Sequence, residues 1–429
     1  MVGGCVARSV LVVAGDDVNH GAVPGEREVP WLNRGVGGIG AASFLADVGH
    51  EIPTALLPSF LTSTLGASAS ALGLIEGISD GLAGGARIVG GALADDPERR
   101  RVVAVGGYTT TAALGALVGA ASSVAQVAVL RAGSWLARGL RVPARNALLA
   151  DLAPPEVYGR AYGFERTMDN LGAIVGPLLA LVLVGLVGTR EAIYLSIIPG
   201  LLAALAIIYA IRNTKAPKRA KRTPIRIRIR PVLQGRLRPL MGGITAFEVG
   251  NVAATLLILR ATDLLEPGRS HDGAVQLAIA LYIAYNVAAT LGSYPAGHVS
   301  DRIGPTRVML LGVAFFGLAY AGFAINTDSV VLLGLWFVLA GFAIGCVETA
   351  EHAAVASDAP THLRGSAFGL LAGVQSFGNL AASAVAGVIW TAISPTAAFV
   401  YLTAWMVIAA ALFIRARELE LTTAQGETS

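Results

Sequence analysis

The sequence predicts an all-α integral membrane protein with twelve transmembrane helices in two six-helix repeats, and three observations carry that prediction. The 429 residues are 54% hydrophobic and only 14% charged, with a mean hydropathy of +0.65, whereas about a quarter of the residues of a soluble protein are charged. Apolar runs long enough to cross a bilayer, about 20 residues each, occur at 36–62, 68–94, 101–122, 124–152, 157–187, 190–211, 239–264, 273–299, 305–325, 329–357, 363–390 and 394–414. These runs lack the period-2 alternation of barrel strands and are rich in Ala, Leu and Gly, as packed membrane helices are. Finally, the stretch Gly91-Ala-Leu-Ala-Asp95-Asp-Pro-Glu-Arg99-Arg100-Arg101 returns, altered, as Gly297-His-Val-Ser-Asp301-Arg302-Ile-Gly-Pro-Thr-Arg307, 206 positions on (297 less 91). The same shift carries Pro154, Gly159, Gly163 and Gly172 onto Pro360, Gly365, Gly369 and Gly378. A fixed-period repeat means one folding unit used twice.

The chain divides accordingly into a tail at 1–33, six runs within 34–212, a linker at 213–238, six runs within 239–414 and a second tail at 415–429. The first tail has a short apolar stretch, Ser9 to Gly15, too brief for a signal peptide, and reads as a disordered cytoplasmic segment. From Arg212 to Arg238 there are eleven Lys or Arg and no acid. The connections after runs 1, 3 and 11 carry no charge, so the positive-inside rule puts the linker and both termini in the cytoplasm of a prokaryotic cell membrane. The Ile-Arg alternation from Ile225 to Arg230 fits an interfacial segment beside anionic headgroups better than a nucleic-acid-binding arm. Cys5 and Cys346 are too few and too separated for a disulfide framework.

Ionisable groups within a membrane span are costly and are functional candidates by default. Run 1 carries Asp47, His50 and Glu51, which steps of three and four stack on one face. Run 2 carries Glu76, Asp80 and Arg87 in a narrow stripe. Run 4 carries Arg131, Arg138, Arg141 and Arg145, a row of guanidinium groups along one face that needs acidic partners or an anionic ligand. At 1.5 Å per residue, Asp47, Glu51 and Arg138 share a depth near the membrane midplane. Run 5 opens Glu165-Arg166-Thr-Met-Asp169-Asn and continues Gly172-x-x-x-Gly176-Pro177. There two glycines let another backbone approach, and the proline bends the helix. Run 7 carries Glu248, Asn251 and Arg260, and run 10 carries Glu348, Glu351 and His352. Glu351 is the repeat counterpart of Arg145, so the two halves differ in sign there. A static buried network joining runs 1 and 4 is the bland reading of these charges. Such networks are weak evidence for stability, which favours proton or substrate handling.

On these residues the chain resembles the major facilitator superfamily of transporters over roughly 36–414. Gly91-x-Leu-x-Asp95 with Arg99 and Arg100 looks like the signature between helices 2 and 3, and Gly297, Asp301, Arg302 and Arg307 look like its second-half echo. The Gly172, Gly176, Pro177 motif is similar to the helix 5 signature of proton-coupled exporters, and Arg131 resembles an arginine several of them need. The chain departs from the pattern at Asp96, Glu98, Trp135 and Ala180. The resemblance implies two pseudosymmetric six-helix bundles that rock about a central cavity lined by helices 1, 4, 7 and 10, with a site near the midplane. It also implies that Asp95 and Asp301 belong to a cytoplasmic gate.

The expected function is secondary transport, most readily proton-coupled efflux of small amphiphilic molecules. The runner-up is a symporter importing an anionic metabolite on the run 4 arginines. No G-x-x-x-x-G-K-[ST] phosphate loop is present, and His50 and His352 lack the paired spacing of metal ligands. That leaves little for an integral-membrane enzyme or receptor, and no cofactor or metal is expected. The expected partners are a small-molecule substrate, protons and membrane lipid, with no nucleic acid, and the chain is expected to be a monomer.

Overall fold

The computed structural model describes residues 30–212 and 224–426. The expectations for residues 1–29 and for 213–223 of the linker therefore lie outside the described residues. Twelve membrane-length helical elements follow one another: α1 Arg34–Ser59, α2 Ala69–Ala94, α3 Pro97–Leu117, α4 Val124–Leu152, α5 Tyr158–Val187 and α6, in two pieces, Thr189–Leu195 and Ile197–Arg212. The second six are α7, in two pieces, Leu237–Gly250 and Ala254–Leu265, α8 His271–Ile303, α9 Pro305–Ala324, α10 Val330–Asp358, α11 Arg364–Ala392 and α12 Pro395–Gly426. Nine of these are long and apolar enough to cross a membrane by composition alone. The other three are α1, α2 and α4, whose inner faces carry the charges singled out above, so what makes them weak spans makes them candidates for function. Twelve crossings put both ends of the chain and the even-to-odd connections on one side, called here the terminal side.

Local chemistry sets the boundaries. Asn33, Ser68, Asp96, Ser123, Ser270 and Ser329 each accept a hydrogen bond from a backbone N–H in the first turn of their helix, which satisfies donors the helix itself cannot. The departure at Asp96 thus has a structural use, because Asp96 takes the N–H groups of Glu98 and Arg99 at 3.0 and 3.2 Å and starts α3. Gly188 and Gly304, at φ of 89° and 90°, allow the abrupt turns into α6 and α9. Beyond Pro53 and Pro58, α1 relaxes into a π-helical turn at Phe60–Thr64, a common response where proline removes regular bonds.

Three differences from the sequence reading stand out. Run 8 is longer than expected at both ends, and α12 continues past residue 414 to Gly426. More telling, run 7 is not one helix. It stops at Gly250 and resumes at Ala254, with Asn251 at φ −87°, ψ 93°. The polar backbone this frees is taken up by side chains. The Val252 N–H donates to the Tyr320 hydroxyl at 3.2 Å and the Ala253 N–H to Ser383 Oγ at 2.9 Å, while Asn379 Nδ2 donates to the Asn251 carbonyl at 2.8 Å. Broken helices in a membrane survive only with such substitutes.

The helix 5 motif does what its glycines suggest. Gly172 lies against Phe44 and Asp47, and Gly176 against Val48 and Glu51, so α5 packs on α1 at the level of the α1 carboxylates. In the linker, Ile229–Val232 forms one helical turn, with Val232 buried and Ile225, Ile227 and Ile229 exposed.

Candidate functional site: a charged cavity between the bundles

A cavity of about 550 Å³ lies between the two halves, within the ~300–1,000 Å³ range of small-molecule sites. From the first half it is lined by α2, α4 and α5, and from the second by α7, α10 and α11. Lining residues include Asp80, Arg138, Arg141, Arg145 and Asp169 on one side and Glu248, Asn251 and Glu348 on the other. Of the expected set, Asp47, His50, Glu51, Arg131 and Glu351 are not on the wall. No residue of α1 lines the cavity, so helix 1, expected on the wall, is not part of it, and Asp47 and Glu51 lie against α5 instead.

The guanidinium row of α4 is shared among helices. Arg131 donates to Glu76 at 3.0 and 3.3 Å and to the Thr54 hydroxyl at 3.1 Å. Arg138 pairs with Asp47 at 3.0 Å. Trp135 lies between these two arginines, its ring centroid 5.3 and 5.7 Å from them, and meets the His50 ring edge-on at 4.9 Å. His50 therefore packs against an aromatic ring and does not share the Asp47 pair. Glu51 is half-buried and belongs to no ion pair among the described residues. Arg145 is held by Glu165 at 2.8 Å, Asp169 at 3.1 Å and the Ser43 hydroxyl at 3.0 Å. The row thus joins α4 to α1 through Asp47, Thr54 and Ser43 and to α5 through Glu165 and Asp169.

Arg141 is different. Its guanidinium lies over the Tyr108 ring at 4.0 Å, is 4% exposed, and has no carboxylate partner among the described residues. Across the cavity, Glu248 is buried and takes a single bond, from Asn251 Nδ2 at 3.1 Å. Glu351 faces Gln375, which donates to it at 3.0 Å. His352 Nδ1 lies 2.7 Å from the Glu348 carbonyl, and its ring stacks on Phe368. Arg87 and Arg166, outside the expected set, also line the cavity. Arg87 bonds the Ser376 hydroxyl. Arg166 joins Glu165 and Asp169, each at 3.0 Å, and reaches Glu348 of the other half at 3.7 Å.

On the terminal side the cavity is closed by two joints related by the 206-residue repeat. Asp301 at the end of α8 accepts the N–H groups of Gly159 and Arg160 at 2.6 and 3.1 Å and the Arg160 guanidinium at 2.8 Å. Asp95 at the end of α2 accepts the N–H of Ser366 at 2.8 Å and its hydroxyl at 2.5 Å. Ser366 is the repeat counterpart of Arg160. Each carboxylate thus lies at the N-terminus of a helix in the other bundle, where free N–H groups and the helix dipole favour negative charge. Burial pushes the Asp95 carboxyl above the ordinary carboxylate range, against the Ser366 hydrogen bonds and the Arg100 charge, which lower it. Glycines make the approach possible: Gly297 abuts Gly159 and Gly163, and Gly91 abuts Gly365 and Gly369. Between the joints Arg364 donates to the hydroxyl of Tyr158, its own repeat counterpart, at 2.8 Å, and to Asp151 at 3.4 Å.

The basic residues of the two signatures play smaller parts. Arg100 binds the Ala94 carbonyl at 2.7 Å and pairs with Asp151, holding α3 to α4 within one bundle. Arg302 and Arg307 are exposed, and Arg99 is half-buried near the start of α3.

The Asp95→Asn variant is expected to slow transport several-fold while leaving substrate affinity nearly unchanged. Asparagine keeps an acceptor for the Ser366 N–H but loses the charge, and hydrogen bonds to charged groups contribute about 1.5–3 kcal/mol. Initial rates over a substrate series separate the two quantities. A large rise in the half-saturating concentration with an unchanged maximal rate would move Asp95 into the substrate site.

A twelve-helix membrane protein built from two repeats, with a charged cavity between them closed at one end by symmetric joints, is a membrane transporter. The family model described as Major Facilitator Superfamily matches residues 39–263 and 240–428, and the chain belongs to that family. It is 29% identical over 374 residues to an uncharacterized MFS-type transporter of Methanocaldococcus jannaschii, covering 86% of this chain and 92% of that one. It is 24% identical over 357 residues to the tetracenomycin C resistance and export protein of Streptomyces glaucescens, covering 70% of this chain and 65% of the other. Among solved structures, a bacterial homologue of the iron transporter ferroportin in an outward-facing state superposes with a TM-score of 0.72 at 16% identity, over 90% of this chain and all of the other (100%). At that identity the likeness is one of fold.

Proposed function

We propose that this protein is a proton-coupled exporter of small amphiphilic molecules that works by alternating access in the plasma membrane of a prokaryote, with both termini in the cytoplasm. The observation that carries the reading is the inter-bundle cavity sealed on the terminal side by two dismountable carboxylate joints, with Arg138 on its wall paired to the buried Asp47 behind it. Arg212, Arg226, Arg228, Arg230, Arg236 and Arg238 lie on that same side, which the positive-inside rule reads as cytoplasmic. Trp135, Phe377 and Leu380 mix apolar surface with the wall charges, which suits an amphiphilic passenger. The name of the Streptomyces relative adds support for export.

Purified protein in proteoliposomes with an imposed pH gradient, screened with radiolabelled amphiphilic compounds, tests this. The expected result is substrate movement against its gradient as protons move the opposite way, abolished by a protonophore. Saturable co-movement of an organic acid with protons, lost in Arg138→Gln, would replace export with the symport reading, which the unpaired Arg141 favours.

A further inference from the structure

The cavity is electrically divided between the bundles. Every guanidinium on its wall belongs to the first repeat, and the second repeat supplies carboxylates, amides and His352 but no Lys or Arg. Most first-half charges are already neutralised: Arg138 by Asp47, and Arg145 and Arg166 by Glu165 and Asp169. Two are not. Arg141 and Arg87 have no carboxylate partner among the described residues, and Arg87 Nε has no hydrogen-bond partner of any kind there. Asp80 is the one remaining first-half acid on the wall, and it is exposed. On the second-half wall Glu248 is 2% exposed and among the described residues its carboxylate is bonded only by Asn251, while Glu348 meets Arg166 at 3.7 Å, too long for a hydrogen bond.

Leaving a charge buried and uncompensated is expensive, and a buried charge normally has a partner. Here the buried Arg141 and Glu248, with the part-buried Arg87 and Glu348 beside them, face each other across a space of about 550 Å³. An anion alone would satisfy Arg141 and Arg87 but crowd Glu248 and Glu348. A cation alone would do the reverse. A molecule with both charges satisfies both walls, and in doing so it can replace the loose Arg166–Glu348 contact, which among the described residues is the one ion pair that ties the walls together across the cavity.

We propose that the transported substrate is bipolar, carrying a carboxylate or other oxyanion that docks on Arg141 and Arg87 and an ammonium or equivalent donor that docks on Glu248 and Glu348. This rests on the transporter reading and names the substrate class for it. Because the two ends are held by different bundles, such a ligand bridges them. It therefore binds differently to states in which the walls stand at different separations, the condition for driving a conformational change.

The test uses three matched sets of aryl compounds on phenyl, indole and naphthalene scaffolds, each as the propionic acid, the ethylamine and the alanine derivative. Binding to the purified full-length protein is read by calorimetry and by the shift in melting temperature. The expected result is that at least one amino-acid form binds at least tenfold tighter than the acid and the amine of the same scaffold. Arg141→Gln and Glu248→Gln should each weaken that form about tenfold or more, the loss of one hydrogen bond to a charged group, while Arg141→Gln leaves amine binding unchanged and Glu248→Gln leaves acid binding unchanged. Should a variant fail to fold, Arg87→Gln or Glu348→Gln substitutes for it on the same wall. An acid or amine that binds as tightly as its amino-acid form, sensitivity to one wall only, or no binding by any amino-acid form overturns the proposal. Proton-driven transport of a compound that fails these criteria would leave the exporter reading standing and remove only the bipolar substrate.

Discussion

Gly297→Leu is expected to abolish transport in a protein that still folds. A β-carbon at this position would lie 2.7 Å from the Gly159 carbonyl carbon and 3.2 Å from Gly163 Cα. Both are backbone atoms, so no side chain can swing aside. The contact joins α8 to α5 across the bundle interface beside the Asp301 joint, and nothing within either bundle depends on it. Folding of each half should therefore survive while the terminal side loses its closed state. Overpacking costs about 1–3 kcal/mol, sometimes more, and at about 1.4 kcal/mol per tenfold the closed population should fall from roughly fivefold to more than a hundredfold. Two measurements check this. Transport in proteoliposomes should drop below a tenth of the parent rate. In a background carrying Cys5→Ser and Cys346→Ala, a cysteine placed at Ala150, which is buried at the seam, should be alkylated faster in Gly297→Leu than in the parent. A parent-like transport rate would show that the α5–α8 contact is not part of the cycle.

Most of the architecture was legible because membrane physics writes it plainly. A span must be about 20 apolar residues long, so the runs could be found, and a repeated turn between helices 2 and 3 gave the duplication. The break in α7 was hidden for the same reason. Residues 239–264 average apolar enough to read as one span despite Glu248, Asn251 and Arg260, and the features that permit the interruption at Asn251 are Tyr320, Asn379 and Ser383, on helices remote in sequence. The cavity was half legible. A search for ionisable groups finds α4 and α10 but passes over the neutral polar face of α11, where Gln375, Ser376 and Asn379 line the space.

Pairing is harder to read than position. The spacing of Arg131, Arg138, Arg141 and Arg145 places them on one face, yet Glu76, Asp47, an aromatic ring and the α5 acids divide them. That division depends on which neighbouring helix lies beside each turn of α4, which no helical period contains. The joints show the opposite limit. Tyr158 and Arg364 occupy equivalent places in the two repeats and touch each other, but they are chemically unlike, and a comparison that looks for the same residue after 206 positions does not stop at them.

The second large effect concerns Asp47. The Asp47→Asn variant is expected to lose proton-driven transport about tenfold or more while keeping substrate exchange, which needs no net proton movement. The carboxylate meets Arg138 at 3.0 Å, on the face of α1 that Gly172 of α5 covers closely, so its surroundings are fixed by two helices of the same bundle and its partner reaches the cavity wall. In general a neighbouring guanidinium favours the charged carboxylate and loss of water favours the neutral one, and each pKa unit by which a conformational change alters that balance couples about 1.4 kcal/mol to the change. Asparagine cannot take up the proton but can still accept a hydrogen bond from Arg138, which separates the chemistry from the packing. If the pair were only a strut, removing the charge would leave a buried guanidinium uncompensated at a cost of about 3–5 kcal/mol, and melting temperature, driven transport and exchange would fall together. Glu51→Gln serves as the comparison. Glu51 is one turn away, lies against Gly176 and has no ion pair among the described residues, so its neutralisation should leave driven transport within about a factor of two to three, the ordinary effect of a surface-like change of under ~0.5 kcal/mol. Equal loss of both transport modes in Asp47→Asn, or no loss in either, would exclude Asp47 as the proton carrier and leave Asp169 and Glu248, carboxylates on the cavity wall itself, as the groups to replace next.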